Sequence, residues 1–438
     1  MNSLLETLHL ENLKYSLFGS RRFLPMFLAT FLGTLNDNII RSGLVVMIAY
    51  AAQHEISLFA DPEILVTICS ALLVLPMVLF SSVAGQLADK CDKSRLVRLT
   101  KLAEIFIMLG VAYGFYSQNI ILLMGLLFAS GTHSTFYVPI KFSILPQHLR
   151  AGELVAGNGF IASGSYLAIL AGMIAGGLLV EEPNNLIGIV AVAIALCGLV
   201  ASLFIPPAPS AHPQTIVSFN LWRGSREIIA HAMRDKILTR TILSLSWFIV
   251  IGSIYIAQFA NYARGVVHAD NEVYIVFLTI FSLGVAVGSM LCDALLKGEI
   301  STRYTTASAV GMAFFTMLMV VSTPPPLHDG LMTVREFFGV PHNFLVVFSM
   351  LMVAVCGGLY MVPLYAVLQS RSGAQHRSQI IAASNLSDSI CMTIAAIISA
   401  ALLYCGLGVQ DLFAIVAAIT LAVALYVRKI SNLETRKI

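Results

Sequence analysis

Twelve apolar segments, each about 20 residues long or longer, follow one another along this chain, and each can cross the hydrocarbon core of a bilayer. Charged residues make up only 11% of the 438 residues, whereas soluble proteins carry roughly 25%. The pattern predicts an all-α membrane protein with twelve transmembrane helices, and it excludes a soluble enzyme, a nucleic-acid binder and a disordered scaffold. The predicted spans are 23–50, 64–87, 97–117, 119–146, 153–180, 186–205, 238–263, 272–296, 302–323, 343–370, 377–404 and 409–428.

The distribution of basic residues predicts how the chain is oriented in the membrane. In the connectors, at the chain ends and at the ends of the spans, 21 of the 26 Lys and Arg residues lie on the side of both termini, and only Arg264 and Arg335 lie on the other side. Because basic loops are retained in the cytoplasm, both termini are expected to be cytoplasmic. Arg41, Lys101 and Lys141 remain within spans, where a charge is costly and rarely without a role.

A Pro-rich connector divides the predicted spans into two halves of six. We expect an amphipathic N-terminal segment, an N-terminal six-helix half, a cytoplasmic connector with an amphipathic helix, a C-terminal six-helix half and a cytoplasmic tail. In that order, these regions cover residues 1–22, 23–205, 206–237, 238–428 and 429–438.

The two halves contain a weak internal repeat. An aromatic, Val and Pro motif at 136–141 in the fourth span corresponds to residues 359–365 in the tenth. Asn158 and Asn385 follow these motifs at similar separations, each in the next span. Two pseudo-symmetric halves of six spans are typical of major facilitator transporters, in which the substrate cavity is expected near the membrane midplane.

The loop between the second and third spans, residues 85–95, resembles the charged loop of the same superfamily. Gly85 would allow close helix contact, and Asp89 would anchor basic groups and the N-terminus of a neighbouring helix when the cytoplasmic face is closed. We therefore assign a gating role to Gly85, Asp89, Lys93 and Arg95. A merely solvated charged loop is the alternative.

Polar residues in the first and fourth spans are the main candidates for a substrate site. We assign Asp37, Asn38 and Arg41 to this site, and Asp37 can accept hydrogen bonds from an ammonium group or bind a coupling cation. The alternative is a structural pair with Arg41, four residues later on the same helix face. Lys141 can meet a phosphate as a point charge, although its side chain could instead snorkel to the membrane edge. His133 is assigned to the same site, with a packed histidine as the alternative.

Five further polar residues within spans are assigned by their positions. Asn158 in the fifth span and Asn385 and Asp388 in the eleventh are candidates for lining the cavity. Hydrogen bonding between helices is an equal alternative for Asp388. Lys101 and Glu104 lie one turn apart in the third span, and we expect them to form a pair or a gate rather than to contact the ligand.

No pattern typical of catalysis or metal binding stands in the sequence. The seven cysteines lack metal-ligand spacing and lie in or beside apolar segments, as small core residues do. A nucleophile elbow and a phosphate-cradling loop of the Walker type are absent. We therefore expect a transporter rather than an enzyme, without a cofactor, metal or nucleic-acid partner, driven by gradients or by downhill flux.

Five stretches spread over both halves point to one branch of transporters. They are residues 23–28, 32–38, 85–93, 134–150 and 358–372. These stretches resemble the bacterial lysophospholipid transporter (LplT) family. They are most similar to the transporter part of fusion proteins that continue into acyltransferase and acyl carrier protein synthetase domains.

The resemblance implies movement of lysophosphatidylethanolamine and lysophosphatidylglycerol to the cytoplasmic leaflet of the bacterial inner membrane for re-acylation. It also implies that Asp37 and Lys141 are polar cavity positions. The basic residue that the family carries in helix seven has no counterpart here, where Ser253, Ile254 and Tyr255 stand. The expected partners are the lysophospholipid substrate, membrane lipid and a separate acyltransferase or acyl carrier protein synthetase, and we expect a monomer.

Two other functions remain open at this point. An exporter of a drug, a siderophore or another amphipathic metabolite would share the fold and the charged loop. A transport-inactive membrane protein could instead hold acyltransferases through the 206–237 connector. Dependence on protons or sodium would favour the exporter, and lysolipid flux without any acyltransferase would exclude the scaffold.

Overall fold

The structure is a computed structural model that describes four stretches of the chain. These are residues 17–53, 61–182, 185–324 and 330–435. Most of the described residues are helical, and the only β-type pairing among them is an isolated bridge between Ala269 and Met332. The predicted all-α class is confirmed. Most of the predicted amphipathic N-terminal segment lies outside the described residues.

Fourteen α-helices lie in these stretches, and twelve of them are long. They are α1 (Leu24–Gln53), α2 (Pro62–Lys90), α3 (Lys93–Tyr116), α4 (Ile120–His148), α5 (Leu154–Glu181), α6 (Leu186–Leu203), α7 (Leu221–Ala232), α8 (Lys236–Gly265), α9 (Asn271–Leu296), α10 (Thr305–Ser322), α11 (Val334–Gly339), α12 (Pro341–Arg371), α13 (Arg377–Tyr404) and α14 (Val409–Thr435).

Each long helix falls on one of the twelve predicted spans. Within the described stretches, ten helices are long and apolar enough to cross a membrane by length and composition alone. The two other long helices, α1 and α3, carry the buried polar residues Asn36, Lys101 and Glu104. Most boundaries lie within four residues of the predicted ones, and the largest difference is at α14, which continues past residue 428 to Thr435.

Side chains at the helix starts explain several of these boundaries. At the start of α4, Asn119 accepts a hydrogen bond from the amide of Leu122 at 3.0 Å. Asp235 and Asp270 accept amide hydrogen bonds in the same way at the starts of α8 and α9. Each cap satisfies amide groups that the first helical turn leaves without an intrahelical partner.

The described residues form two compact units. Unit 1 contains the described residues up to 157 together with 167–232 and 369–386, so it holds α1–α4, α6, α7, most of α5 and the start of α13. Unit 2 contains 158–166, 233–368 and the described residues from 387 onward. The domain boundaries expected from the sequence stay a prediction.

Unit 1 has a core built where its membrane helices meet. The main contacts join α2 with α4, α3 with α6 and α1 with α6. Ile40 and Leu44 of α1, Val111 of α3, Leu127 of α4 and Ala191 of α6 are fully buried in one cluster. Most of these helices are apolar around their whole circumference, as expected for helices that face lipid on one side and protein on the other.

Unit 2 repeats part of this contact pattern. Its contacts join α10 with α14 and α8 with α14, which are the ninth with the twelfth and the seventh with the twelfth long helix. In unit 1 the corresponding pairs are the third long helix with the sixth and the first with the sixth. Rings of Tyr255, Phe259, Tyr262, Phe281 and Phe413 pack together at the centre of unit 2. The shared pairing agrees with an internal repeat.

Glycines bring α5 of unit 1 close to α1. A Cβ atom added at Gly172 would lie 2.6 Å from the carbonyl oxygen of Leu35, and one at Gly176 would lie 2.5 Å from that of Ile39. Real Cβ atoms do not approach backbone so closely. The glycines therefore permit close helix packing, which explains this stretch of small residues without a further role.

The substitution Gly176→Ala should destabilise the protein, because the added methyl group meets a backbone carbonyl that cannot rotate away. Overpacking of this kind costs about 1–3 kcal/mol. The matched control is Gly125→Ala in α4, where an added Cβ meets nothing within 4 Å. There we expect equal or slightly greater stability, by up to about 1 kcal/mol. Equal melting temperatures of the two purified variants would contradict the packing argument.

Candidate functional site

One face of α4 carries most of the polar residues of the candidate site. Ser130, Ser134, Tyr137 and Lys141 follow one another at separations of three or four residues, which places them in line along the helix. The remainder of α4 is largely apolar. This polar face meets α1 and α3 within unit 1.

Asp37 of α1 is half-buried and is held by two serines of α4. The Ser130 hydroxyl donates to Oδ1 at 2.5 Å, and the Ser134 hydroxyl donates to Oδ2 at 2.6 Å. Arg41, the partner considered from the sequence, donates instead to Ser70 Oγ of α2 at 3.4 Å. A carboxylate has about four acceptor positions, so the two serine bonds leave Asp37 able to accept further hydrogen bonds.

Asn38, the neighbour of Asp37, has a mainly local contact. Its Nδ2 donates to the backbone oxygen of Thr34 at 2.8 Å, one turn earlier in α1. The amide on the other side of Asp37 behaves differently. Asn36 is fully buried and its Nδ2 donates to Glu104 Oε1 of α3 at 3.2 Å. Asn36 is thus bound to the buried carboxylate of α3.

Lys101 and Glu104 form the pair expected from their spacing. Lys101 Nζ lies 2.7 Å from Glu104 Oε2, and both side chains are buried. His133 of α4 approaches the same carboxylate, with Nε2 3.7 Å from Glu104 Oε2. Glu104 is therefore surrounded by groups from α1, α3 and α4. The gating role assigned to this pair stays a prediction.

Tyr137 connects this buried pair to the rest of the polar face. Its ring lies 5.0 Å from Lys101 Nζ and stacks on the His133 ring at a centroid distance of 6.1 Å. Its hydroxyl lies 2.9 Å from Thr30 Oγ1 of α1. Thr30 and Tyr137 are not recognisable from the sequence as site residues, because their contacts join residues far apart in the chain.

Lys141 is half-buried at the end of this polar face. Its Nζ lies 4.8 Å from the centre of the Phe142 ring, and it is within electrostatic range of Asp37 and Lys101. Glu104 is already paired with Lys101, whereas Asp37 and Lys141 form no ion pair with any residue that the structure describes. The site thus offers both a hydrogen-bond acceptor and a cation.

An apolar cavity of about 360 Å³ lies beside the polar cluster, among α2, α3 and α4 of unit 1. Leu87, Phe136 and Ile140 are among the apolar residues of its wall, and His133 also lines it. Leu99, another lining residue, is 60% exposed, so the cavity opens at the outer surface of the helices. His133 therefore contacts both the charged cluster and the apolar cavity.

The charged loop anchors the first turn of α13. Asp89 is fully buried and accepts hydrogen bonds from the backbone amides of Ser378 at 3.0 Å and Gln379 at 3.2 Å. A Cβ atom at Gly85 would lie 2.6 Å from Ala382 Cβ, so the glycine permits this approach. These contacts match the expected anchoring of a helix N-terminus, while gating stays a prediction.

The other basic residues of the loop differ in their surroundings. Lys93 is buried, and its Nζ has no hydrogen-bond partner among the described residues. Arg95 is exposed, and its backbone amide donates to Asp92 Oδ1 at 3.0 Å. Partial burial would raise the pKa of Asp92, but hydrogen bonds from Ser94 and Arg95 outweigh it and hold the pKa below its usual range. Asp92 thus caps α3.

The remaining candidates are buried at other places in the fold. Asp388 of unit 2 accepts a hydrogen bond from Ser246 Oγ of α8 at 2.6 Å. Asn158 belongs to unit 2 and Asn385 to unit 1, and both are buried. Among the residues that the structure describes, no group of three or more His, Cys, Asp or Glu could hold a metal ion.

The substitution Lys101→Met should destabilise the protein strongly, since it leaves Glu104 buried without its cation. Breaking one partner of a buried pair costs about 3–5 kcal/mol. The double variant Lys101→Met with Glu104→Gln should recover more than half of this loss in thermal unfolding. The control Arg223→Gln removes an exposed pair with Glu227 and should leave the melting temperature unchanged. A double variant as unstable as the sum of its single variants would contradict this account.

Comparison with known proteins identifies the family from the sequence and the fold from solved structures. The sequence profile of the Major Facilitator Superfamily matches residues 26–337, more than two thirds of the chain. The lysophospholipid transporter LplT of Escherichia coli strain SE11 is 25% identical over 413 residues, covering 90% of this chain and 94% of that protein. The relation to the fusion proteins stays a prediction.

Solved structures of transporters share the fold at low sequence identity. The human organic anion transporter MFSD10 (TETRAN) matches with a TM-score of 0.72 and 12% identity, over 93% of this chain and 99% of that one. The Escherichia coli fucose:proton symporter FucP matches with a TM-score of 0.68 and 11% identity, over 94% and 100%. The chain is therefore a multi-pass membrane transporter that belongs to the Major Facilitator Superfamily.

Proposed function

We propose that this transporter moves lysophospholipids, chiefly lysophosphatidylethanolamine and lysophosphatidylglycerol, to the cytoplasmic leaflet of the bacterial inner membrane by alternating access. A separate acyltransferase or acyl carrier protein synthetase would then re-acylate them. The observation that carries the proposal is the position of an apolar cavity beside the polar face of α4, with His133 both in the cavity wall and next to the buried Glu104. The similarity to LplT over almost the whole chain supports the same substrate class.

The charged cluster suits a zwitterionic head group. Asp37 would accept hydrogen bonds from the ethanolamine ammonium group, directly or through water, while its two serine contacts keep the carboxylate oriented. Lys141 would meet the phosphate as a point charge. Lysophosphatidylglycerol has the phosphate but lacks the ammonium group. Asp37 should therefore matter more for the ethanolamine lipid than for the glycerol lipid.

The cavity suits a single acyl chain. A volume of about 360 Å³ corresponds to roughly twelve water molecules of liquid, enough for part of a hydrocarbon chain. Burial of each methylene group contributes about 0.8 kcal/mol. Because the cavity opens at exposed Leu99, the rest of the chain could stay in contact with bilayer lipid while the head group is bound.

The variants Asp37→Asn and Lys141→Gln should each slow transport of labelled lysophosphatidylethanolamine by reconstituted protein. Loss of a hydrogen bond to a charged group costs about 1.5–3 kcal/mol, which corresponds to about a 10-fold to 100-fold effect. Asp37→Asn should impair lysophosphatidylglycerol transport less. The matched control is Arg335→Gln, at an exposed base in α11. Unchanged transport in both variants would contradict the assignment of the site, and efflux of a siderophore with indifference to lysolipid would contradict the substrate class.

The variant Ala129→Leu should narrow the cavity, because Ala129 lies in its wall. We expect slower transport of lysolipids with long acyl chains and little change for those with short chains. The control Ala400→Leu adds the same side chain at an exposed position of α13. Transport rates measured for a series of chain lengths test this. An equal effect on all chain lengths would exclude the cavity as the place of the acyl chain.

A further inference from the structure

The connector between α6 and α8 runs along α2 within unit 1. Ser210 Oγ donates to the backbone oxygen of Asp89 at 2.8 Å, close to the end of α2. Further along the connector, the amide of Ser218 donates to Gln86 Oε1 at 2.7 Å. At the level of α7, a Cβ atom added to Gly224 would lie 2.8 Å from Ser82 Oγ. The connector therefore rises along α2, away from its C-terminal end.

The length of α2 gives the depth of α7 in the membrane. The 29 residues of α2 extend over about 43 Å, which matches a bilayer of about 40–45 Å with its head groups and a hydrocarbon core of about 30 Å. Ser82 lies eight residues before the end of α2 at Lys90, or about 12 Å along the helix axis. The polar layer on each side is only about 6 Å thick. A helix that fills the bilayer in this way places Ser82, and Gly224 of α7 beside it, about 6 Å inside the hydrocarbon boundary, within the depth of about 5–10 Å to which interfacial amphipathic helices bury their apolar face.

Opposite faces of α7 have opposite surroundings. Gly224, Ile228 and Ala232, spaced one turn apart, are buried against the protein. Trp222 on the other face is 86% exposed, and Phe219 just before the helix is 81% exposed. Trp is enriched at the level of lipid head groups because its ring is amphipathic, and Phe is common on the apolar face of helices that lie in the membrane interface.

Basic residues accompany these exposed aromatic rings. Arg223 and Arg226 are exposed on α7, and Arg223 is paired with Glu227 at 2.8 Å. An amphipathic helix with Trp or Phe and with basic residues typically lies in the membrane interface and is attracted by anionic lipids. The connector lies on the side that the basic loops predict to be cytoplasmic, where anionic head groups are available.

We infer that α7 is a lipid-binding helix of the membrane surface. Phe219 and Trp222 insert into the interfacial layer of the bilayer, and Arg223 and Arg226 bind the phosphate groups of anionic phospholipids. This lipid is a resident ligand of the connector and is not transported. The site is separate from the cluster of Asp37 and Lys141, so it does not depend on which substrate the protein carries.

The two tryptophans of the chain, Trp222 and Trp247, allow a direct test. The variant Trp247→Phe leaves Trp222 as the reporter, and the protein is reconstituted in phosphatidylcholine vesicles with or without phosphatidylglycerol. We expect loss of most of the fluorescence when bromine atoms are placed on the acyl chains close to the head groups. Bromine atoms at the chain ends should quench less. If Trp247→Phe does not fold, the difference between wild type and Trp222→Phe gives the same signal.

The charge contribution is tested by moving the bromine label between lipids. Brominated phosphatidylglycerol should quench Trp222 more than brominated phosphatidylcholine at the same fraction, and the double variant Arg223→Gln with Arg226→Gln should abolish this difference. A Trp222 emission maximum typical of a water-exposed indole, unchanged by any brominated lipid, would overturn the inference. The exposed face of α7 would then be a binding surface for a protein partner. Equal quenching by both lipids in the wild type would contradict the proposed preference of Arg223 and Arg226 for anionic lipid.

Discussion

The burial of charge in a largely apolar bundle is the constraint on which unit 1 depends. Lys101 and Glu104 have almost no solvent exposure, and either ion alone would lose its hydration without compensation. The Glu104 carboxylate therefore lies where α3 supplies an ammonium group, α1 the Asn36 amide and α4 the His133 imidazole. One buried acid thus joins three helices, and the apolar core packs around this junction.

This pairing also distinguishes the charges that stabilise the fold from those that we propose bind the substrate. Lys101 and Glu104 neutralise each other's charge, so neither of them needs Asp37 or Lys141 as a partner. Asp37 is oriented by serine hydroxyls, which donate hydrogen bonds without cancelling its charge. A carboxylate held in this manner keeps its attraction for a cation while its position is fixed. His133 then connects the charged region to the cavity wall.

The sequence predicted the long helices well because a continuous apolar segment of about 20 residues has few alternatives in a bilayer. It also predicted the pair of Lys101 and Glu104, since residues three apart share a helix face. The partners of Asp37 were not predictable in this way. Local spacing pointed to Arg41, but the two serines that bind Asp37 stand 93 and 97 residues later. Periodicity within one helix does not tell which neighbouring helix its polar face will meet.

The anchoring of α13 by Asp89 has a consequence for how this chain can vary. The acidic group on α2 is bound mainly by backbone amides of Ser378 and Gln379, in addition to one side-chain amide. Backbone amides are present whatever side chains the first turn of α13 carries, with the exception of proline. The contact therefore requires a particular side chain on α2 but only a helical backbone on α13. The chain can exchange most side chains at the start of α13 and keep the attachment, provided that the acid at position 89 and the helical turn itself are retained.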